Sequence, residues 1–237
     1  MSNLPINKKV VIVMGPPGSG KGTQANLIAD KLSLYHLDTG KFLEELVHDP
    51  EHADDAEVQV EKEHFDSGIL VSPLFFLKWV TQKINDLFKN GMGIIFSGSP
   101  RTMLEGFGDG ENKGLMDVLV DTYGKEHILI FLLEVPQEES IRRNSTRQIC
   151  SVCGNAMISA LNLNLPQCPV CGGAFRVRTL DKTDVIKVRL EEYRNRAYPV
   201  VAELEKRGFK VNKIDGSPMP YLVFDKISSI INDTFKV

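Results

Sequence analysis

Val10-Val11-Ile12-Val13-Met14 is an uninterrupted apolar, largely β-branched run, the pattern of a strand buried on both faces. Ile94-Ile95-Phe96 and Ile128 to Leu133 repeat it, and Phe209 to Ile214, closed by Asp215-Gly216, predicts a last strand. Between them the period changes to that of a helix. From Gly22 to Leu32, Ala25, Ile28, Ala29 and Leu32 fall on one face. Leu74 to Phe88, Gln137 to Thr146, Thr183 to Lys206 and Tyr221 to Phe235 also predict helices. Strands alternating with helices imply an α/β fold with a parallel sheet covered on both sides. Two stretches break the alternation: Thr39 to Ser72, helical and acid-rich, and Arg147 to Arg178, which holds every cysteine. Both are expected to be small insertions rooted in one core. No internal repeat or low-complexity tract is present.

Composition narrows the class. The chain of 237 residues is 42% apolar and 25% charged with a net charge of -3, which excludes a disordered polyelectrolyte and a globally basic nucleic-acid binder. Its longest apolar run, Ile128 to Leu133, is far too short to cross a bilayer, and Val10 to Met14 is too short for a signal segment. A soluble, cytoplasmic protein is expected, with neither nucleic acid nor membrane as partner. The net charge hides two opposed parts. Glu44 to Asp66 holds ten carboxylates and one lysine, a net of -9, so the remaining chain carries +6. All ten arginines lie between Arg101 and Arg207.

The cysteines form the pattern C-x2-C-x14-C-x2-C: Cys150, Cys153, Cys168 and Cys171. Two knuckles of this spacing can set four thiolates tetrahedrally around one Zn2+. Gly154 and Gly172 follow each second cysteine, where a tight knuckle favours a residue tolerant of positive φ. Disulfides are disfavoured by the expected compartment and by the short spacings. A redox CxxC lacks its usual surroundings. Zinc is the expected ligand, and a site closed by four cysteines is structural. His48 and His52, spaced i, i+4, and His64 are expected to be solvated residues of an acidic face.

Gly15-Pro16-Pro17-Gly18-Ser19-Gly20-Lys21 matches G-x-x-x-x-G-K and stands between a buried strand and a helix. Successive backbone N–H groups of such a loop and the following helix N-terminus form an anion cradle, with the lysine supplying a point charge to the phosphates. Gly22 stands where Ser or Thr is usual, and Thr23 follows. The stretch Gly15 to Gln24 resembles the loop of the adenylate kinase family. Thr39-Gly40, Gly68-Ile69-Leu70-Val71, Ser97-Gly98-Ser99-Pro100-Arg101-Thr102, Arg143-x3-Arg147, Arg178, Arg189 and Asp215-Gly216 extend the resemblance over essentially the whole chain.

That resemblance implies a P-loop core with a five-stranded parallel sheet, formed by residues 1–38, 73–146 and 179–237. It implies an insertion over 39–72 that binds a nucleoside monophosphate, and a zinc-binding ATP lid over 147–178. The implied reaction is ATP + AMP to 2 ADP in a monomer, with structural Zn2+ and with Mg2+ on the ATP. Lys21, Arg101, Arg143, Arg147, Arg178 and Arg189 are the implied catalytic set, because bidentate guanidiniums suit phosphate clamps. Gly15, Gly18, Ser19, Gly20, Lys21, Gly22, Thr23, Thr39, Lys41, Val71, Arg101 and Glu105 are the implied nucleotide-binding set. Arg142, Arg176, Arg194, Arg196 and Arg207 match no motif and are expected at the surface.

The chain departs from the family pattern at defined positions. Ser97 and Lys41 replace aspartates, Glu44 replaces a phosphate-gripping arginine, Ser99 a phenylalanine and Glu105 the glutamine that reads adenine. Of an acidic pair after the lid, Leu180 replaces one member and Asp181 remains. Lys41 gains the positive charge that Glu44 loses, at i, i+3 on one helical segment, so it is either the substitute phosphate ligand or a member of a surface pair. With fewer carboxylates, Mg2+ is expected to rely on ATP oxygens, Thr23 and Asp38. An acceptor-only carboxylate at Glu105 suits guanine, which makes a kinase for GMP the alternative. A weakly active nucleotide-binding paralogue is the other.

Overall fold

The computed structural model describes residues 7–154, 156–157, 165–176 and 183–236, except for the side chains of 183 and 184. Five strands form one sheet: β1 (Val10–Met14), β2 (Tyr35–Asp38), β3 (Ile94–Ser97), β4 (Ile128–Glu134) and β7 (Val211–Asp215). Their order is β2-β3-β1-β4-β7 and every pairing is parallel. β1 is central, with Val10 and Val13 opposite Ile94 and Ser97 on one side and Ile128 and Phe131 on the other. A short antiparallel pair, β5 (Ile149–Cys150) and β6 (Phe175–Arg176), lies in the cysteine-bearing insertion.

The continuous apolar runs have a direct cause: both faces of the sheet are covered. Val10, Ile12, Met14, Ile130 and Leu132 face one apolar cluster. It is completed by α4 (Pro73–Lys89), α6 (Leu115–Tyr123) and α9 (Tyr198–Lys206). Val11, Val13, Leu129, Phe131 and Leu133 face the other, against α1 (Lys21–Leu32) and α10 (Pro220–Phe235). Successive side chains of a strand point to opposite faces, so one run supplies both layers.

The acidic insertion is helical, with α2 (Thr39–Val47) and α3 (Ala56–Ser67) joined by a short 3-10 turn at Pro50–His52. Asp38 and Asp55 cap the two helices through their carboxylates. Leu43, Leu46, Val47, Val58 and Phe65 join the main apolar cluster, whereas no described residue from 147 to 176 joins either cluster.

Three local features differ from the sequence reading. β2 carries no apolar run, because Tyr35-His36-Leu37-Asp38 alternates and is only partly buried at the sheet edge. α5 (Met103–Phe107) and α6 went unrecognised beside the Gly-rich stretch 106–114. The single helix expected from Thr183 to Lys206 is α8 (Thr183–Glu192), a π-helical segment at Tyr193–Ala197, and α9. Pro199 has no N–H to give to the carbonyl of Asn195, and Tyr198 bonds instead to the carbonyl of Tyr193. Among the described residues no helix is long and apolar enough to cross a membrane.

Candidate active site

The carboxyl ends of the parallel strands open onto a cleft of about 1150 Å3. This is where open α/β sheets bind ligands. The glycine-rich loop leads from β1 to α1 along its floor. Gly15 has φ +144°, and a Cβ there would lie 2.5 Å from the carbonyl oxygen of Leu133. Gly18 has φ +76°, and its Cβ would lie 2.6 Å from Asn144 Nδ2. Only glycine meets both demands. Ser19 Oγ is buried without a hydrogen-bond partner among the described residues. Gly20, Gly22 and Thr23 line the cleft at the start of α1.

Lys21 lies across this loop, its Nζ donating to the carbonyls of Gly15 and Pro16 at 2.8 and 2.7 Å. Burial, followed by the fields of Arg189, Arg101 and Arg147, lowers its pKa from 10.5 to about 7. Four cationic side chains thus converge, and a bound polyphosphate would offset their mutual repulsion. Arg147 extends the site beyond α7 (Gln137–Ser145), and Arg189 comes from α8. Arg178 lies outside the described residues.

Arg101 follows β3, and its Nε donates to the carbonyl of Gly98 at 2.5 Å. Thr39 is fully buried; its hydroxyl donates to the carbonyl of Ser97 at 3.3 Å and accepts from Ser99 at 2.8 Å. Ser99, a departure from the family pattern, is therefore integrated by bonding to Thr39. Val71 is buried and lines the cleft. Lys41 also lines it but is exposed, and pairs with Glu45 at 3.4 Å. Glu105 is only 1% exposed and accepts from the backbone N–H of Arg101 at 2.6 Å. Burial, opposed by Arg101, raises its pKa to about 7.

Arg143 lines the cleft as well. Its fork donates to Glu139 at 2.5 Å and to the carbonyls of Gly216 and Ser217 at 2.9 and 2.8 Å. It therefore ties α7 to the loop after β7. Arg142 and Arg143 together hold Glu139 down to about 2. Arg142 and Arg176, expected at the surface, are exposed and also line the cleft. The β5–β6 pairing puts Arg176 opposite Ile149, a contact no linear motif announces.

His36 is a further cleft residue without a sequence signal. Its Nδ1 lies 2.6 Å from Asn26 Oδ1 and its Nε2 2.8 Å from Ser97 Oγ. The amide oxygen requires the proton on Nδ1, so Nε2 accepts from Ser97. Burial lowers the pKa of His36 and favours this neutral form. In the acidic insertion, His48 meets Asp66 at 3.3 Å and His64 meets Glu61 at 3.2 Å, while His52 stands edge-on to Trp79.

The four cysteine sulfurs lie within 4.8 Å of one another. Cys150 and Cys171 are 3.4 Å apart, and Cys153 and Cys168 are 3.7 Å apart. A tetrahedral ZnS4 unit with bonds of about 2.3 Å has sulfur–sulfur edges of roughly 3.8 Å. The set fits such an ion and is much too open for disulfides. Gly154 and Gly172 have φ of +71° and +74°, as the knuckles require. Among the described residues this is the only group of histidine, cysteine or carboxylate ligands able to hold a metal. For Mg2+, a hard cation that keeps several waters, the cleft offers the oxygens of Thr23, Asp38 and Ser97.

A parallel sheet with a phosphate loop after its central strand and cations converging on it defines a P-loop nucleotide kinase. The sequence model of the adenylate kinase family matches residues 13–209, and the chain belongs to that family. It is a nucleoside monophosphate kinase. It is 30% identical over 225 residues to the adenylate kinase of Methanothrix thermoacetophila, covering 94% of this chain and 98% of that one. The adenylate kinase of Caldicellulosiruptor saccharolyticus is 30% identical, over 86% of this chain and 90% of its own. That of Chlamydia abortus is 30% identical, over 95% and 99%.

Proposed function

We propose that the protein catalyses the reversible reaction ATP + AMP to 2 ADP. The observation that carries this reading is the convergence of Arg189, Arg101 and Arg147 on a buried Lys21, whose ammonium is brought down to about 7 by burial first and by these three guanidiniums next. Phosphoryl transfer needs little covalent help from a protein. It needs two anions held in line and charge stabilised on the moving group.

The loop N–H groups from Gly18 to Gly22, with Ser19, take the ATP phosphates. Lys21 exchanges its two carbonyl partners for phosphate oxygens. Arg101 and Lys41 receive the monophosphate, with Val71 and Glu105 along its nucleoside, while Thr39 stays buried behind them and holds Ser97 and Ser99 in place. Arg147, Arg189 and Arg178 surround the transferred group, and Arg143 holds α7 and the loop after β7 in place around it. Residues 39–72 and 147–178 close over the two substrates and exclude water, which keeps transfer ahead of hydrolysis. Mg2+ bound to ATP supplies charge neutralisation, and Asp38, Thr23 and Ser97 would hold it through its waters. Zn2+ on the four cysteines would keep the lid rigid, since no described residue of that insertion joins the apolar clusters.

A coupled assay of ADP formation from ATP and AMP, with and without Mg2+, tests this reading. Turnover that requires both nucleotides and Mg2+ is expected. ATP binding without turnover on any nucleoside monophosphate would overturn it.

A further inference from the structure

From Arg147 to Arg178 the sequence holds no Asp, Glu, Lys or His, so arginines are the only charged side chains of the cysteine-bearing insertion apart from its thiolates. An arginine there has no carboxylate of its own segment to pair with. Arg176 shows the consequence. It is exposed, and among the described residues it has neither a hydrogen bond nor an ion pair. Every other described arginine is engaged. Glu139 holds Arg142 and Arg143, Gln137 holds Arg194, Glu192 holds Arg196 and Glu203 holds Arg207. Arg101 bonds to the carbonyl of Gly98, and Arg147 and Arg189 are partnered too.

The ribbon sets where this cation stands. Ile149 on β5 lies opposite Arg176 on β6, and on its other side Ile149 bridges to Ala156. Residues directly opposite in a ladder share one face. Ala156, Ile149 and Arg176 therefore form a row across the insertion, and all three line the cleft. The next pair, Cys150 and Phe175, takes the opposite face, so Arg176 is turned away from the buried Cys150. Arg147 comes two residues before Ile149, on the diagonal from Arg176, and diagonal neighbours stand about 7–8 Å apart. The charge of Arg147 already acts on Lys21 in the phosphate loop.

We propose that Arg176 is a ligand of the phosphate chain of ATP, acting beside Arg147 on the cleft face of the insertion. The inference rests on the ATP reading above and adds a phosphate-binding residue to that site. A guanidinium carries five N–H donors in a planar fork that matches phosphate oxygens two at a time. Lys21 must leave two carbonyls before it meets a phosphate, whereas Arg176 has no described partner to give up. Ile149 and Ala156 offer a phosphate nothing, so Arg176 is the one group of its row that an anion would engage.

The test is calorimetric binding of ATP, AMP and inorganic tripolyphosphate to the purified full chain, as the parent, Arg176→Ala and Arg176→Lys, with the metal content of each measured. Arg176→Ala should weaken ATP and tripolyphosphate alike, about tenfold or more, and leave AMP affinity and metal content as in the parent. Arg176→Lys should recover part of the loss, because an ammonium keeps the charge without the fork. An unchanged affinity for ATP in Arg176→Ala overturns the proposal. So does a loss for ATP that tripolyphosphate does not share, which would set the guanidinium against the base instead. Metal lost from both variants would assign Arg176 to the cysteine cluster and overturn it as well. ATP binding weakened as expected in a protein that turns over no nucleoside monophosphate would count against the proposed reaction and leave the role of Arg176 supported.

Discussion

Ser140 on α7 donates its hydroxyl to the carbonyl of Pro17 in the phosphate loop at 2.5 Å, across 123 positions of sequence. Both residues are buried, so the bond fixes the loop from behind. Ser140→Ala leaves that carbonyl without its partner, at a cost of about 1–3 kcal/mol. Thermal unfolding should show the loss, and the KM for ATP should rise more than that for AMP. Unchanged stability together with an unchanged KM for ATP would remove Ser140 from this role.

The same wall limits the loop's own sequence. At Gly18 a methyl group would meet Asn144 Nδ2 at 2.6 Å and the Ser140 carbonyl at 2.9 Å, on a backbone at φ +76°. Gly18→Ala should therefore cost about 1–2 kcal/mol from backbone strain before any clash is counted. Gly22, with no atom within 4 Å of an added Cβ and no positive φ, is the internal control. Gly18→Ala should lower kcat/KM for ATP at least tenfold, and Gly22→Ala should be much milder. Equal effects would show that loop flexibility, rather than the wall behind Gly18, sets the requirement.

Lys21 has a measurable consequence for stability. Its pKa is near 7 in the fold and 10.5 when unfolded, so between those values the unfolded chain binds more protons. The cost of burying the ammonium is fully present below about pH 7 and shrinks as pH rises toward 10.5. Lys21→Met should accordingly raise Tm without nucleotide at pH 7 while abolishing turnover. The gain should decrease at pH 9. A variant no more stable than the parent at pH 7 would contradict the crowding of cations around Lys21.

How far the sequence carried each of these features follows from what each one depends on. The loop was legible because its requirements are local: positive φ and the absence of a Cβ select glycine at fixed spacing. β1 and β4 were legible because burial on both faces leaves no polar position. β2 was not, since at a sheet edge Tyr35 and His36 stay half-exposed. The break in the last long helical stretch was marked only by Pro199. The burial of Glu105, the carbonyl acceptors of Arg143 after β7 and the entry of Arg176 into the cleft come from contacts between distant segments. No periodicity announces them.

The cysteine cluster gives a prediction separable from the chemistry of the cleft. Cys168 is buried and Cys153 exposed, yet their sulfurs are 3.7 Å apart in one tetrahedral set. Replacing either removes one of four ligands and should abolish stoichiometric zinc, measured by metal analysis of the purified protein. Because no described residue from 147 to 176 joins either apolar cluster, the core should stay folded while the lid loosens. The expected result is two separate unfolding transitions and a raised KM for ATP. A zinc content unchanged in Cys168→Ser would exclude four-cysteine ligation.

Lys41 offers the sharpest test of how the acidic insertion handles a phosphate. It lines the cleft on the first turn of α2, and its described partner is Glu45 at 3.4 Å, one position beyond Glu44. Both side chains are about two-thirds exposed or more, at 70% and 66%, so the pair is worth at most about 1 kcal/mol and separates easily. A charge-assisted bond to a phosphate is worth roughly 1.5–3 kcal/mol, enough to draw Lys41 away from Glu45. Lys41→Ala should then raise the KM for AMP about tenfold or more, with little change in the KM for ATP. Glu45→Gln should lower the KM for AMP, because it releases Lys41 and removes one negative charge from a segment carrying -9. If Lys41→Ala leaves the KM for AMP unchanged, the lysine does not replace the arginine that Glu44 displaced, and the phosphate is held by Arg101 and the core arginines alone.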